Sequence, residues 1–205
     1  MLATFTLIAA AYAAPGPFRA EYDSFAAGKH RLVPLHGRRT IRQAQDELEK
    51  LFPGQVAFVT NGGYFDTKTK AAVDLVVINN KLISGYLFIG RPILASGERK
   101  ATIFTGSGEV PYRKWETYKD IGGFTEALAG DNSAIEPERY TNRQIVVVRN
   151  GTYLFIRMQN ANQSRCDRVI EECGLKLGQF LFLDGGSSMD SDTVTTTQLG
   201  VITLP

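Results

Sequence analysis

Two distant stretches of this chain end in the same way, and that repetition constrains the fold more than any other feature. In the first, Thr40 to Phe52 reads as a helix, Val56 to Thr60 as a short apolar strand, and Asn61-Gly62-Gly63-Tyr64-Phe65 as the turn that follows. In the second, Ala161 to Cys173 reads as a helix, Gln179 to Leu183 as a strand, and Asp184-Gly185-Gly186-Ser187-Ser188 as the turn. Thr40 can cap the first helix, with Gln43 three residues on completing a capping box. Ile41, Ala44, Leu48, Leu51 and Phe52 fall at helical spacing, and Pro53-Gly54 ends the run. The second helix carries Cys166, Val169, Ile170 and Cys173 as its apolar stripe, with Gly174 at the C-terminal cap position.

The rest of the chain reads mostly as strand. Asn150-Gly151 between Arg143–Arg149 and Thr152–Arg157 is the strongest hairpin signal, because both residues tolerate positive φ. Asn79-Asn80 between Val73–Ile78 and Lys81–Phe88 is a second. Phe18 to Phe25 reads as a strand, and the Thr-rich, β-branched run Val194 to Leu204 as a terminal one. Residues 90–140 give little pattern beyond an apolar run at Ala101–Phe104 and a turn at Ile121-Gly122-Gly123-Phe124. Two helices among many strands make the expected class α+β, with a mixed, largely antiparallel sheet in a single domain. Residues 1–20 form a possible leader or first strand, and 21–205 the domain.

Composition narrows the partners. Lys+Arg is 23 against Asp+Glu 21, a net charge of +2, which is too balanced to point to nucleic acid. No stretch is long and apolar enough to span a membrane. With 205 residues and 43% apolar content, the chain can build a core without disulfides or metal. Cys166 and Cys173 lie two helical turns apart, about 10 Å, too far to bridge, and read as two buried thiols. The N-terminus admits two readings. Ala11-Tyr12-Ala13 follows an apolar run as a signal-peptidase site would, implying a secreted or cell-envelope protein. Yet no Lys or Arg precedes Arg19, and Thr4 to Ile8 suits a first strand, which leaves a cytoplasmic or virion-associated protein. Sequence does not set the oligomeric state.

The paired turns are where chemistry is expected. Strand ends are held by a rigid sheet while their side chains face outward. Successive glycines can aim several N–H groups at one anion, and the serines add hydroxyls. Asp184 can serve as base, nucleophile or acceptor for a sugar hydroxyl. Taken singly, Asn-Gly-Gly and Asp-Gly-Gly are ordinary turn sequences.

The order Asn61-Gly62-Gly63-Tyr64-Phe65, Ile121-Gly122-Gly123-Phe124, Arg143 and Phe182-Leu183-Asp184-Gly185-Gly186-Ser187-Ser188 resembles the phosphodiester glycosidase family, over most of the chain from residue 40 to 190. The resemblance implies an α+β fold and hydrolysis of a sugar-1-phosphodiester, such as an N-acetylglucosamine cap on a phosphate. The last family motif is usually D-G-G-G-S. Here Ser187 stands at the third glycine, and Ser188 matches the serine. A positive φ at Ser187 would cost roughly 1 kcal/mol or more.

That reaction builds positive charge on the sugar ring and releases a phosphomonoester, itself a weak base. It asks for a phosphate cradle and a carboxylate near C1, and less for a strong acid. Arg143 suits the cradle through its planar fork, completed by Gly185, Gly186, Ser187 and Ser188. Asp184 suits the carboxylate, with Asp66 as helper. Asn61 would bind a sugar hydroxyl or acetamido group beside Gly62 and Gly63, and Tyr64 would stack on the ring.

Each residue has a plainer role. Arg143 would be a surface ion-pair partner, Asp66 a turn residue, Tyr64 and Phe65 core packing. Trp115 and Tyr118 suit either a sugar platform or the core. His30 and His36, with Lys29, Arg31, Arg38 and Arg39, read as a solvated basic face. The sequence requires no cofactor. A divalent cation held by Asp184, Asp190 and Asp192 is possible, although no familiar calcium-loop spacing supports it. Two other functions stay open: a non-catalytic carbohydrate-binding or virion structural domain, and a metal-dependent phosphodiesterase cleaving the P–O bond.

Overall fold

In the computed structural model, the described residues are 16–65, 68–69, 75–84, 91–105, 124–131, 133, 136–189 and 192–205. The leader segment 1–14, Asp66, Trp115, Tyr118, Ile121–Gly123 and Asp190 lie outside them. Twelve strands and two helices appear among the described residues. All strand pairing is antiparallel, and the strands form three sheets rather than one.

The first sheet runs β1 (Arg19–Ala26), β10 (Thr152–Ala161), β9 (Thr141–Arg149), β11 (Phe180–Leu183). The second places β12 (Thr195–Thr203) between β2 (His30–Arg39) and β3 (Val56–Asn61). The third runs β5 (Lys81–Ser84), β4 (Val76–Ile78), β8 (Glu126–Ala129), β6 (Ile93–Ser96), β7 (Ala101–Phe104). One central core takes residues from all three: Leu32, Leu199 and Val201 from the second, Val146, Phe155 and Leu181 from the first, Val76, Leu94 and Leu128 from the third. Helix α1 (Ile41–Leu51) covers the second sheet through Ala44 and Leu48, packed with Val33, Leu35 and Ile202. Helix α2 (Gln163–Glu172) covers the first through Cys166 and Val169, packed with Ile145, Ile156, Met158 and Phe182.

Local chemistry explains the boundaries. Thr40 Oγ1 accepts from the Gln43 N–H at 3.1 Å, and Gln43 Oε1 accepts from the Thr40 N–H at 2.9 Å. This is the expected capping box, and such a cap contributes about 1 kcal/mol. Asn162 caps α2 by accepting from the Arg165 N–H, and Gly174 ends it at φ +61°. Cys166 and Cys173 are unbridged; Cys166 is buried and Cys173 half-buried. Both hairpins form: Asn79 and Asn80 sit at φ 50° and 62°, Asn150 and Gly151 at 50° and 69°. A Cβ at Gly151 would meet nothing within 4 Å, so Gly151→Ala isolates backbone strain. We expect it to lower stability by about 1–2 kcal/mol, with an unchanged denaturant slope in urea unfolding.

Three readings need correction. Leu51 is 60% exposed, so the apolar face of α1 narrows to Ala44 and Leu48. The basic segment around His30 and His36 is strand β2, paired with β12, and its Leu32–Leu35 stretch is buried. The charged flanks solvate only its ends. Residues 90–140, sparse in pattern, supply β6, β7 and β8.

Candidate active site

Strands β3 and β11 are edge strands of different sheets, and the turns that follow them are bonded to each other. The Asp184 N–H donates to the Gly62 carbonyl at 2.9 Å. The Asn61 side-chain amide donates to the Ser188 carbonyl. The two bends anticipated in the sequence therefore form one joint.

Gln144 on β9 ties the joint from beneath. Its Nε2 donates to the carbonyls of Asn61 at 3.0 Å and Asp184 at 3.2 Å, and its Oε1 accepts from Thr60 Oγ1 at 2.6 Å. The residue is 1% exposed. The buried threonines of β12 brace the first turn. Thr195 Oγ1 donates to Asn61 Oδ1 at 3.2 Å, Thr197 Oγ1 donates to the Gly63 carbonyl at 2.7 Å, and the Thr197 carbonyl accepts from the Gly62 N–H at 2.9 Å. Asn61 is fully buried, and both ends of its amide face protein partners.

The glycines permit this closeness. A Cβ at Gly63 would stand 2.9 Å from the Ala129 carbonyl oxygen, and one at Gly185 2.5 Å from that of Asn142. Neither neighbour is a flexible side-chain end, so a side chain at either position would force the backbone apart. The positive φ of the second turn, +63°, belongs to Gly186. Ser187 follows it within the 3-10 turn Gly186–Met189.

Asp184 is the titratable carboxyl at the joint. Burial pushes its carboxyl up from 3.8 to about 6, while hydrogen bonds from the Ser188 side chain and the Gly185 backbone pull the other way. Its Oδ2 is buried and has no hydrogen-bond partner among the described residues. A carboxylate with one unsatisfied buried oxygen is poised to bind a proton or a ligand hydroxyl. Tyr64 lies beside it. Burial, and next the charges of Asp131 and Asp184, raise the phenol well above its usual range, with Arg143 and Arg91 opposing. Tyr64 thus remains a neutral hydroxyl.

Arg143 belongs to the same neighbourhood but is turned partly inward. Alternation along β9 puts it on the α2 face, opposite Gln144. Its Nη2 donates to the carbonyls of Glu136 at 2.9 Å and Arg139 at 3.0 Å, and its Nε to that of Ala161 at 3.4 Å. Burial lowers its pKa, chiefly by desolvation. The guanidinium fastens the 136–139 loop to the end of β10 and places a fixed positive charge behind Tyr64.

No motif marked Gln144, Thr195, Thr197, Asp131 or Arg91. Gln144 was findable as the polar residue next to Val146 in the alternation Gln144, Val146, Val148 on the central-core face of β9. Among the described residues, no group of three or more His, Cys, Asp or Glu is placed to hold a metal ion. No helix among them is long and apolar enough to cross a membrane.

The chain is similar in structure to the zebrafish N-acetylglucosamine-1-phosphodiester alpha-N-acetylglucosaminidase catalytic domain, auto-inhibited by its pro-peptide. The TM-score is 0.63 at 10% identity, covering 95% of this chain and 85% of that one. It is also similar to a hypothetical protein from Synechocystis, with a TM-score of 0.60 at 11% identity, covering 91% of this chain and 59% of that one. No protein-family model matches the sequence, and no curated protein does. The likeness is one of fold, and the α+β class expected from two helices among many strands is the class this chain has.

Proposed function

We propose that this protein is a hydrolase that cleaves the sugar C1–O bond of a sugar-1-phosphodiester in a glycan or cell-envelope polymer. The observation that carries the reading is the joint itself: two glycine turns bonded together, with the under-satisfied Asp184 carboxylate at their meeting point. The fold shared with a glycosyl-phosphodiester hydrolase supports it.

In this reading water attacks C1 while the C1–O bond breaks. The electron pair of that bond leaves with the phosphomonoester, and Asp184 takes the proton of the attacking water. Asp184 is suited to the task because an apparent pKa near 6 leaves it ionised at neutral pH yet basic enough to accept a proton. The Gly185 and Gly186 backbone and Ser187 and Ser188 border the anion. Arg143 contributes positive charge from behind, and the Tyr64 hydroxyl donates to substrate. Asn61, Gly62 and Gly63 hold the first turn in register against the second.

Product analysis on a sugar-1-phosphodiester tests the reading. Free reducing sugar plus phosphomonoester is the expected outcome. Sugar-1-phosphate would mean P–O cleavage, and saturable binding without products would mean a carbohydrate-binding domain; either result overturns it.

A further inference from the structure

A line of hydrogen bonds reaches the joint from β12. Gln198 stands opposite Asn61 in the β12–β3 register and is fully buried. Its amide lies against the carbonyls of Thr195 at 3.1 Å and Arg39 at 3.3 Å. Carbonyls only accept, so the nitrogen of that amide is the end that faces them. The same nitrogen is 2.8 Å from Thr195 Oγ1, which therefore accepts there. The Thr195 hydroxyl proton is left to be given onward, and Asn61 Oδ1 stands 3.2 Å away to take it. The other acceptor in reach, the Thr197 carbonyl at 3.4 Å, already takes the Gly62 N–H at 2.9 Å.

This polarity decides which way the Asn61 amide points. With Oδ1 turned to Thr195, Nδ2 faces the Ser188 carbonyl and donates to it. A flipped amide would set oxygen against oxygen at that carbonyl, and a buried clash of two acceptors is costly. Ser188 in turn closes the second turn by donating its N–H to the Gly185 carbonyl at 3.2 Å. Asn61 thus grips from outside the segment that carries Asp184, Gly185 and Ser188. Gln198, Thr195, Asn61 and Ser188 are all buried, and Thr195 accepts and donates through a single oxygen.

We propose that Thr195 is a positioning residue for Asp184: its hydroxyl fixes the Asn61 amide, which holds, through the Ser188 main chain, the turn that carries the carboxylate. The inference rests on the proposed hydrolytic reading for the use made of Asp184, but its test needs no turnover. Loosening the turn withdraws the Ser188 and Gly185 bonds that favour the ionised carboxyl, so Asp184 should hold its proton to higher pH.

The test follows the Asp184 carboxyl of the full chain by carbon-13 NMR as pH is varied, its resonance identified by its loss in Asp184→Asn. The parent is compared with Thr195→Val, Thr195→Ser and Gly151→Ala. Valine keeps the shape and removes the hydroxyl, whereas serine keeps the hydroxyl. Gly151→Ala strains the hairpin at the other end of β9 and controls for lost stability alone. The other charged or titratable groups acting at the joint, Tyr64, Asp131, Arg91 and Arg143, are the same in every variant. The expected midpoint in Thr195→Val is about one pH unit above the parent's, with Thr195→Ser and Gly151→Ala within about 0.3 of it. If Thr195→Val does not fold, Thr195→Ala decides, with a rise of about half a pH unit expected. A parental midpoint in the folded variant overturns the proposal, as does a Thr195→Ser or Gly151→Ala protein that moves as far. Should Asp184 follow Thr195 in a protein that cleaves no sugar phosphodiester, the hydrolytic reading alone is retired. Cleavage whose acid limb in kcat/KM is indifferent to Thr195→Val retires the Thr195 assignment alone.

Discussion

Asp184→Asn is expected to lower kcat by about a hundredfold to ten-thousandfold while making the folded protein more stable above pH 6. The two effects have one origin. Burial raises the Asp184 carboxyl from 3.8 to about 6, so the folded state holds this proton more tightly than the unfolded state. Between about pH 4 and pH 6 the native chain therefore binds more protons, and its stability falls as pH rises across that window. A displacement of this size corresponds to roughly 2–3 kcal/mol. Asparagine keeps the shape and carries no charge, so that loss should vanish. Chemical unfolding at pH 4 and pH 8 checks it: the parent loses stability between the two, and Asp184→Asn loses less. The activity arm has its own signature. As a base, Asp184 must be ionised, so kcat/KM of the parent should rise through a limb near pH 6 that the variant lacks. A variant with parental kcat removes Asp184 from the chemistry, and a variant less stable than the parent at pH 8 removes the account of its burial.

What the sequence disclosed was local. The capping box at Thr40 and Gln43 was legible because it needs only two residues at fixed spacing. The Asn79-Asn80 and Asn150-Gly151 hairpins were legible because positive φ restricts the choice of residue. The two glycine turns were legible because backbone can approach backbone as closely as at Gly63 and Gly185 only without a Cβ. Strand β2 was hidden because the basic flanks outweigh the four apolar positions Leu32–Leu35 in any window that includes both. Strands β6 and β8 are four residues each, too short to show a period. The inward turn of Arg143 depends on carbonyls at 136, 139 and 161, which no linear motif brings together. Arg91 and Asp131 were out of reach for the same reason: they meet where the Gly130 N–H bonds to the Pro92 carbonyl, a pairing of segments about forty residues apart.

Gln144 is the strongest case of a residue known only from three dimensions, and its removal should cost the most stability. In Gln144→Leu the carbonyls of Asn61 and Asp184 lose a donor, and the buried Thr60 hydroxyl loses its acceptor. Each buried group left unsatisfied costs on the order of 1–3 kcal/mol, and partial relaxation brings the sum to about 2–4 kcal/mol. For a chain of this size that lowers Tm by roughly 10 °C. The effect belongs to the bonds and not to lost volume, because leucine fills nearly the same space. Thr60→Val tests this: it removes the hydroxyl that depends on Gln144, so in the double variant the two losses should sum to about 1 kcal/mol less than their total taken singly. Turnover should fall as well, since the same amide fixes the Asp184 backbone against the first turn. Gln144→Glu separates stability from shape. Its carboxylate would face two carbonyl oxygens and must hold a proton to donate, so its folded pKa is raised. Its penalty should be smallest in acid and grow as pH rises through neutrality. A Gln144→Leu protein that melts within about 2 °C of the parent would mean that the turns hold each other without the amide, and that the joint rests on the Asp184–Gly62 and Asn61–Ser188 bonds alone.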